Sequence, residues 1–346
     1  MVVDYYIGNP KMKKFEYIKV CSIGEALDLL RKYGASGQLL AGGSDLLLQI
    51  KQHAVEPAYL IDIKGIPNLG SIKQEGDTLS IGTLVTLRDI EKSEIIKTKF
   101  PALTNGVCKI ASVQLRNIAT LGGNLCQAIK CPYYNQSHIN MFMRRAIKPC
   151  FRKGGNVCHV VTWGEDVGNI VVGNSYCRVP LAADMAIVLA TLGGVVELVG
   201  RKGSSREINV ENLYKKDSKL NIARGEILTH VKIPMSSNAA VFLMYKSNPS
   251  AYTSVSVAVS LALDKDKETC ESARIYLGGV APQPYRAKDV EQYIRGKKLN
   301  DQVNRKAVEL LFEDTKAANN EIVFKIAKAR DLCREALTKV WEKAKE

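Results

Sequence analysis

The sequence predicts a mixed helix-and-strand protein of two or three domains, and three observations carry that expectation. With 346 residues the chain can build more than one core. Residues 15–64 pass from strand-like to helix-like period and back, as a βαβ-like unit does. The C-terminal part opens on an alternating strand pattern and closes on helical spacing. The composition, 46% apolar and 24% charged, is that of an ordinary globular protein, without internal repeats or low-complexity tracts.

Residues 1–14 carry no period and read as a tail. A strand is expected over 15–20. Ser22 is then placed as an N-cap with Glu25 at the capping-box position. The following helix carries Ala26, Leu27, Leu29, Leu30 and Tyr33 and stops at Gly34. Residues 38–40, the loop Ala41-Gly42-Gly43-Ser44-Asp45, the apolar run 46–50 and a closing strand over 59–63 complete a first subdomain, 15–66. A second, 67–235, opens with a strand over 78–82 and a helix capped by Thr86 through Ile90. Pro101 then suits the first turn of a helix reaching about Ala111. Residues 114–124 enter the turn Leu121-Gly122-Gly123-Asn124. From about 125 to 178 no period persists, a length that marks a functional insertion rather than a plain loop. Pattern resumes with apolar residues 185–192 and a strand over 195–199. In the last unit, 240–346, residues 255–263 read as a half-buried strand that pairs with 273–277. Ile322, Ile326, Ala329, Cys333, Leu337 and Val340 follow helical spacing to the end.

The net charge is +14. It suits either a solvated lysine-rich surface or an anionic partner, such as an acidic electron carrier, an acidic subunit or a phosphate-bearing ligand. Nucleic acid is disfavoured, since no recognition-helix, zinc-finger or RRM signature appears. No secretory leader or bilayer-spanning run is seen, so the chain reads as cytoplasmic. Thiols stay reduced there, and clustered cysteines more often bind metal than form disulfides. Five of the nine cysteines fall at Cys126, Cys131, Cys150, Cys158 and Cys177, directly behind the second glycine turn. Cys21, Cys108, Cys270 and Cys333 sit in apolar patterns as packing residues.

Paired glycines let backbone N–H groups face an anion with no Cβ in the way, so Gly42-Gly43-Ser44-Asp45 suits a pyrophosphate. The pattern is not G-x-G-x-x-G, which excludes a Rossmann fingerprint. Together with Arg116-Asn117-Ile118-Ala119-Thr120-Leu121-Gly122-Gly123-Asn124, it resembles the paired flavin motifs of the FAD-binding medium subunits of the molybdenum hydroxylase (xanthine oxidase) family. The likeness also covers Phe15-Glu16-Tyr17, residues 226–234, residues 277–284 and the C-terminal helix. It implies an α+β fold: a vanillyl-alcohol-oxidase (PCMH)-type FAD-binding domain in two subdomains, then a CO-dehydrogenase-flavoprotein-like α+β domain.

By the same resemblance, the FAD pyrophosphate is expected on the backbone of Leu40, Ala41, Gly42, Gly43, Ser44, Asp45 and Leu46. Thr120, Leu121, Gly122, Gly123 and Asn124 form the second clamp, and Asp184 and Leu228 touch FAD. Asp184 also reads as a helix N-terminal aspartate favoured by the macrodipole. Lys246 is the flavin-proximal lysine, with Met244 as the alternative for that place.

The insertion narrows the resemblance to the β subunit of 4-hydroxybenzoyl-CoA reductase and a bacterial aldehyde oxidoreductase flavin subunit, whose inserted loop holds a [4Fe–4S] cluster. That likeness assigns Cys131, Cys150, Cys158 and Cys177 as ligands, with Cys126 the rival and His138 and His159 as loop or second-layer residues. Four thiolates suit zinc or an iron–sulfur cubane; spacings of 19, 8 and 19 contain no C-x-x-C knuckle, which disfavours a zinc ribbon. No catalytic base or nucleophile constellation is present, so no catalytic residue is assigned.

The resemblance thus implies an electron-transfer subunit. Its partners are a large molybdenum-cofactor subunit and a small [2Fe–2S] subunit, in a heterotrimer or a dimer of heterotrimers. The external carrier is acidic, such as ferredoxin or flavodoxin. The substrate of the complex is an aromatic acyl-CoA, an aldehyde or an N-heterocycle. The rivals are a stand-alone FAD oxidoreductase and a zinc-stabilised binding protein whose glycine loops are only turns.

Overall fold

The computed structural model describes residues 12–131, 134, 150–156, 158, 177, 179–215, 217, 219–236, 238–248, 251–266, 268–313 and 320–346. His138, His159 and most of the cysteine-bearing insertion lie outside the described residues.

Strand β1 (Glu16–Lys19) leads into α1 (Ile23–Tyr33). The Ser22 hydroxyl accepts from the Glu25 N–H at 3.1 Å, as the sequence predicts. The returning Glu25 carboxylate takes the Cys21 N–H at 3.0 Å, one residue beyond the usual capping-box donor. Gly34 ends the helix at φ +53. Next come β2 (Gly37–Leu40), α2 (Leu46–Lys51) and β3 (Tyr59–Asp62). The apolar run after the glycine loop is therefore helical. The strand expected to close the unit lies at its centre, because the sheet order is β1-β3-β2, all parallel. Ala26, Leu27 and Leu30 of α1 pack on Val20, Ile61 and Ile63. Each fully buried Leu or Ile there contributes roughly 1.5–3 kcal/mol.

The second sheet is antiparallel, built from β4 (Ile72–Glu75), β5 (Thr78–Gly82), β6 (Val195–Val199), β7 (Ser205–Asn209) and β8 (Ile227–Pro234) in the order β4-β5-β8-β6-β7. Between β5 and β6 run α3 (Leu87–Lys92), α4 (Glu94–Lys99), α5 (Pro101–Cys108), α6 (Val113–Arg116), α7 (Leu121–Leu125) and α8 (Asp184–Thr191). Thr86 and Asp89 form a complete capping box on α3. Helix α5 stops at Cys108, short of the expected end near Ala111, because Ala111 takes φ +49 and the Ile110 carbonyl is held by Arg116 at 2.9 Å. Helix α8 is buried on every side from Met185 to Thr191. It contacts α5 on one side and the third sheet on the other, which is why its sequence is apolar all round.

The third sheet, order β12-β11-β10-β9, comprises β9 (Ala239–Tyr245), β10 (Val255–Leu263), β11 (Cys270–Gly278) and β12 (Tyr285–Arg286). It is followed by α9 (Lys288–Ile294), α10 (Asp301–Glu309) and the long α11 (Asn320–Lys345). Strand β10 is buried on both faces from Val255 to Leu261, not half-buried. Val255, Val257, Val259 and Leu261 join the core under α11, while Ala258 on the opposite face joins the core that contains α8. The small residues Ser256 and Ser260 mimic a solvent face in sequence, yet are buried.

Cys270 and Cys333 are fully buried, as their patterns suggest. Cys21 and Cys108 are exposed, which corrects their reading as packing residues: one precedes a helix cap and the other ends α5. Among the described residues no helix is long and apolar enough to cross a membrane.

Candidate functional site

The end of β2 delivers the chain into the first glycine loop. Gly43 adopts φ +75, a left-handed conformation that suits glycine. Gly42 backs onto the second loop: a Cβ there would lie 2.8 Å from the Ile118 carbonyl carbon and nearer still to its oxygen. The two loops therefore touch through bare backbone. Among the described residues, the N–H groups of Gly42, Gly43, Ser44 and Asp45 donate to no acceptor of the chain. Four adjacent unspent donors form a cradle for an anion.

The second loop is fixed from below. The Leu121 N–H reaches the Val85 carbonyl at 2.9 Å, the Gly122 N–H reaches Thr83 at 2.9 Å, and the Leu87 N–H reaches Ala119 at 2.8 Å. Thr120 caps α7, its hydroxyl accepting from the Gly123 N–H at 3.1 Å. Gly122 has no room for a side chain, since a Cβ would meet that of Thr83 at 2.7 Å. Arg116, only 6% exposed, ties this approach together through Glu91 at 3.1 Å and the carbonyls of Ile110 and Ala111 at 2.9 and 3.3 Å. Among the described residues, the buried Asn124 side-chain oxygen meets no hydrogen-bond donor, and Asn124 is not part of the lining of the cleft that the two loops share.

Both loops line one cleft of about 500 Å³. Ala41, Gly42, Gly43, Ser44, Asp45, Leu46, Thr120, Gly122, Gly123 and Leu228 are on its wall. The side chains of Leu40 and Leu121 turn into the core, 7% and 0% exposed. Sequence reasoning missed Thr83, Leu84, Leu220, Ile222, Arg224 and Glu226, which line the same cleft. It also missed Lys64, whose ammonium contacts the Ala41 carbonyl at 3.3 Å. Isolated polar and apolar residues of this kind leave no periodic signal; only the sheet pairing of β8 with β5 brings the second group to the loops. Cys126 is on the cleft wall too, and burial pushes its thiol up to about 12.

Asp184 and Lys246 stand apart from the cleft lining, at the contact between α8 and the third sheet. Burial raises the Asp184 carboxyl to about 6, opposed by the Thr253 hydroxyl, which donates at 2.7 Å, and by the charge of Lys246. Asp184 is also the first residue of α8, as the macrodipole reading has it. Lys246 donates to the Lys109 carbonyl at 2.6 Å, and Met244 lies against Thr253 at 3.6 Å. The lysine and its alternative therefore both flank Asp184 rather than the glycine loops.

In the cysteine segment, Cys131 and Cys177 are buried in one cluster with Val179, against Ile129 and Tyr134. A hydrogen bond with Cys158 lowers the Cys177 thiol to about 6, assisted by the Val179 backbone and Arg152, against the opposing effect of burial. Tyr134 lies within electrostatic reach of Arg152, Cys150, Asp45 and Cys177. All four cysteines thus border one region. Among the described residues, however, no group of three or more His, Cys, Asp or Glu could hold a metal ion. By its chemistry alone, the donor set of four thiols is one that zinc and an iron–sulfur cubane share.

Residues 13–236 match the family described as the FAD binding domain in molybdopterin dehydrogenase, and residues 241–344 match the CO dehydrogenase flavoprotein C-terminal domain. The chain is 30% identical over 284 residues to the aldehyde oxidoreductase FAD-binding subunit of Escherichia coli K12, covering 80% of this chain and 84% of that one. It is 25% identical over 289 residues to the glyceraldehyde dehydrogenase medium chain of Sulfolobus acidocaldarius, covering 83% of each. In fold it resembles quinoline 2-oxidoreductase of Pseudomonas putida 86, with a TM-score of 0.76 at 21% identity over 97% of this chain and 100% of the other.

Proposed function

The chain belongs to the FAD-binding flavoproteins of the molybdopterin dehydrogenases, as a medium subunit of the carbon monoxide dehydrogenase type, and from that premise we propose that it is a two-cofactor electron relay within a molybdenum enzyme complex. Its FAD is held by the paired loops, and a [4Fe–4S] cluster by Cys131, Cys150, Cys158 and Cys177. The partners are a large molybdenum-cofactor subunit and a small [2Fe–2S] subunit. The observation that carries the FAD assignment is the meeting of two glycine loops in one cleft, where four backbone N–H donors on one wall are unspent among the described residues.

When bound, FAD supplies the conversion between two-electron and one-electron transfer. The chain's own contribution is placement. Gly42, Gly43, Ser44 and Asp45 would hold the pyrophosphate by backbone donors. Thr120 keeps the second loop in its turn, and Leu228 closes the apolar wall. Asp184, hydrogen-bonded by Thr253 and faced by Lys246, would offer the flavin a proton or a hydrogen bond, the contact that the family resemblance implies for it.

Burial of Cys131 and Cys177 together, with Cys158 hydrogen-bonded to Cys177, supports the cluster. The names of two relatives favour an aldehyde as the substrate of the complex. The cysteine insertion, which resembles that of 4-hydroxybenzoyl-CoA reductase as well as that of an aldehyde oxidoreductase, keeps an aromatic acyl-CoA as the second reading. The basic surface suits an acidic ferredoxin or flavodoxin. Anaerobic purification tests the whole: the two other subunits should co-purify, with one FAD and about four irons per copy of this chain beyond those of the small subunit's [2Fe–2S] clusters. Cys150→Ser should lose those additional irons and keep the flavin. A colourless chain, or a Cys150→Ser chain with undiminished iron, overturns the respective assignment.

A further inference from the structure

Asp45 serves two places at once. Its backbone N–H belongs to the unspent donors of the first glycine loop. Its carboxylate turns the other way, to a segment more than eighty residues later: one oxygen accepts from the Ala128 N–H at 2.9 Å and the other pairs with the Lys130 ammonium. Gln49, one turn along α2, holds the same carboxylate at 2.7 Å. The pair is largely withdrawn from water, with side chains 20% and 13% exposed, so it is less screened than a surface ion pair. The arm it grips is anchored again where the Gln127 amide donates to the Ala182 carbonyl at 2.9 Å. The next residue after Lys130 is Cys131, only 4% exposed.

We infer that Asp45 is a positioning residue that couples the two sites, so that occupation of the flavin cleft orders the Cys131 arm and occupation of the cysteine site tightens the flavin loop. The inference rests on the two-cofactor reading above. The physical argument is shared ordering. A ligand drawing the Asp45 N–H into a fixed place also fixes the carboxylate on the same residue, and with it the backbone of Ala128 and the ammonium of Lys130. Whichever cofactor binds first bears the entropic cost of ordering the loop and arm, and the second bears less. Thermodynamic reciprocity then requires both cofactors to gain by the same factor.

The test compares FAD dissociation constants, from flavin fluorescence titration, for cluster-loaded protein and for protein stripped of iron under reducing conditions. Wild-type protein should bind FAD about tenfold more tightly when loaded, within the usual range of such couplings. Lys130→Met leaves the glycine loop intact and should shrink the difference to within about twofold. Asp45→Asn, which keeps an acceptor for the Ala128 N–H but removes the ion pair, should do the same, and the double variant should be no worse than either single one. Equal FAD affinity in loaded and stripped wild-type protein, or a full difference persisting in Lys130→Met, overturns the coupling while leaving the cofactor assignments standing. A wild-type chain that takes up no iron overturns the two-cofactor reading, and the coupling with it.

Discussion

Gly42→Ala is the sharpest perturbation of the cleft. A methyl group at this position would sit 2.8 Å from the Ile118 carbonyl carbon, closer to its oxygen, and 3.3 Å from Ala119 Cα, where ordinary contact begins at 3.4 Å. All three obstacles are backbone, so no rotamer change relieves them. The loops must part by on the order of 1 Å, a misplacement large enough to weaken a preorganised site severely. Overpacking of this kind costs about 1–3 kcal/mol. Taking the middle of that range, about 2 kcal/mol corresponds to roughly a thirty-fold weaker FAD Kd. Flavin fluorescence titration gives the Kd, and urea denaturation of the FAD-free protein shows whether the strain already falls on the empty fold. Gly70→Ala, where an added Cβ meets nothing within 4 Å, is the control and should change neither quantity. A Gly42→Ala protein with wild-type Kd and wild-type urea midpoint would refute the close approach of the two loops.

Other expectations follow from the same geometry. Thr120→Ala removes the cap on α7 and should cost about 1 kcal/mol of stability, with weaker FAD binding, whereas Thr120→Ser retains both; thermal melts with and without FAD check this. Arg116→Met leaves the Ile110 and Ala111 carbonyls without their donor and Glu91 with Arg88 alone, and should destabilise by roughly 1–3 kcal/mol, read as a lowered urea midpoint; Arg116→Lys recovers only part, lacking the guanidinium fork. Because burial raises the Asp184 carboxyl to about 6 from an ordinary value of 3.8, the folded apoprotein holds a proton that the unfolded chain has released between those two values. Stability therefore falls as pH rises from about 4 to 6 and is flat above. Asp184→Asn should flatten that slope, measured by denaturation at stepped pH.

Local signals in the sequence were legible wherever the chemistry was local. The Ser22 cap, the Gly34 stop, the Thr86 cap and the two glycine loops are each decided by neighbours within a few residues, and each is found in place. The sequence failed where burial is set from far away. Ser256 and Ser260 look solvent-facing until α8 is known to cover them, and Tyr59–Asp62 looks like an edge until β1 and β2 flank it. The role of Asp45 was hidden for the same reason. As part of a glycine motif it reads as a cofactor contact, and only the fold reveals that its carboxylate is spent on Lys130. The glycine most constrained by its surroundings is Gly42, pressed against a distant loop, although Gly43 carries the unusual dihedral.

The antiparallel pairing of β5 with β8 joins Thr78 to Pro234, and it imposes an order of events on a nascent chain. At synthesis rates of roughly 5–20 residues per second, about ten to thirty seconds separate the emergence of these strands from the ribosome. During that interval β5 has no inner neighbour and the wall containing Leu228 has not been made. All five cysteines between Cys126 and Cys177 precede β8, so they leave the exit tunnel while the cleft is still open. A flavin that needs both walls of the cleft can therefore be enclosed only after the last strand of the second sheet has emerged.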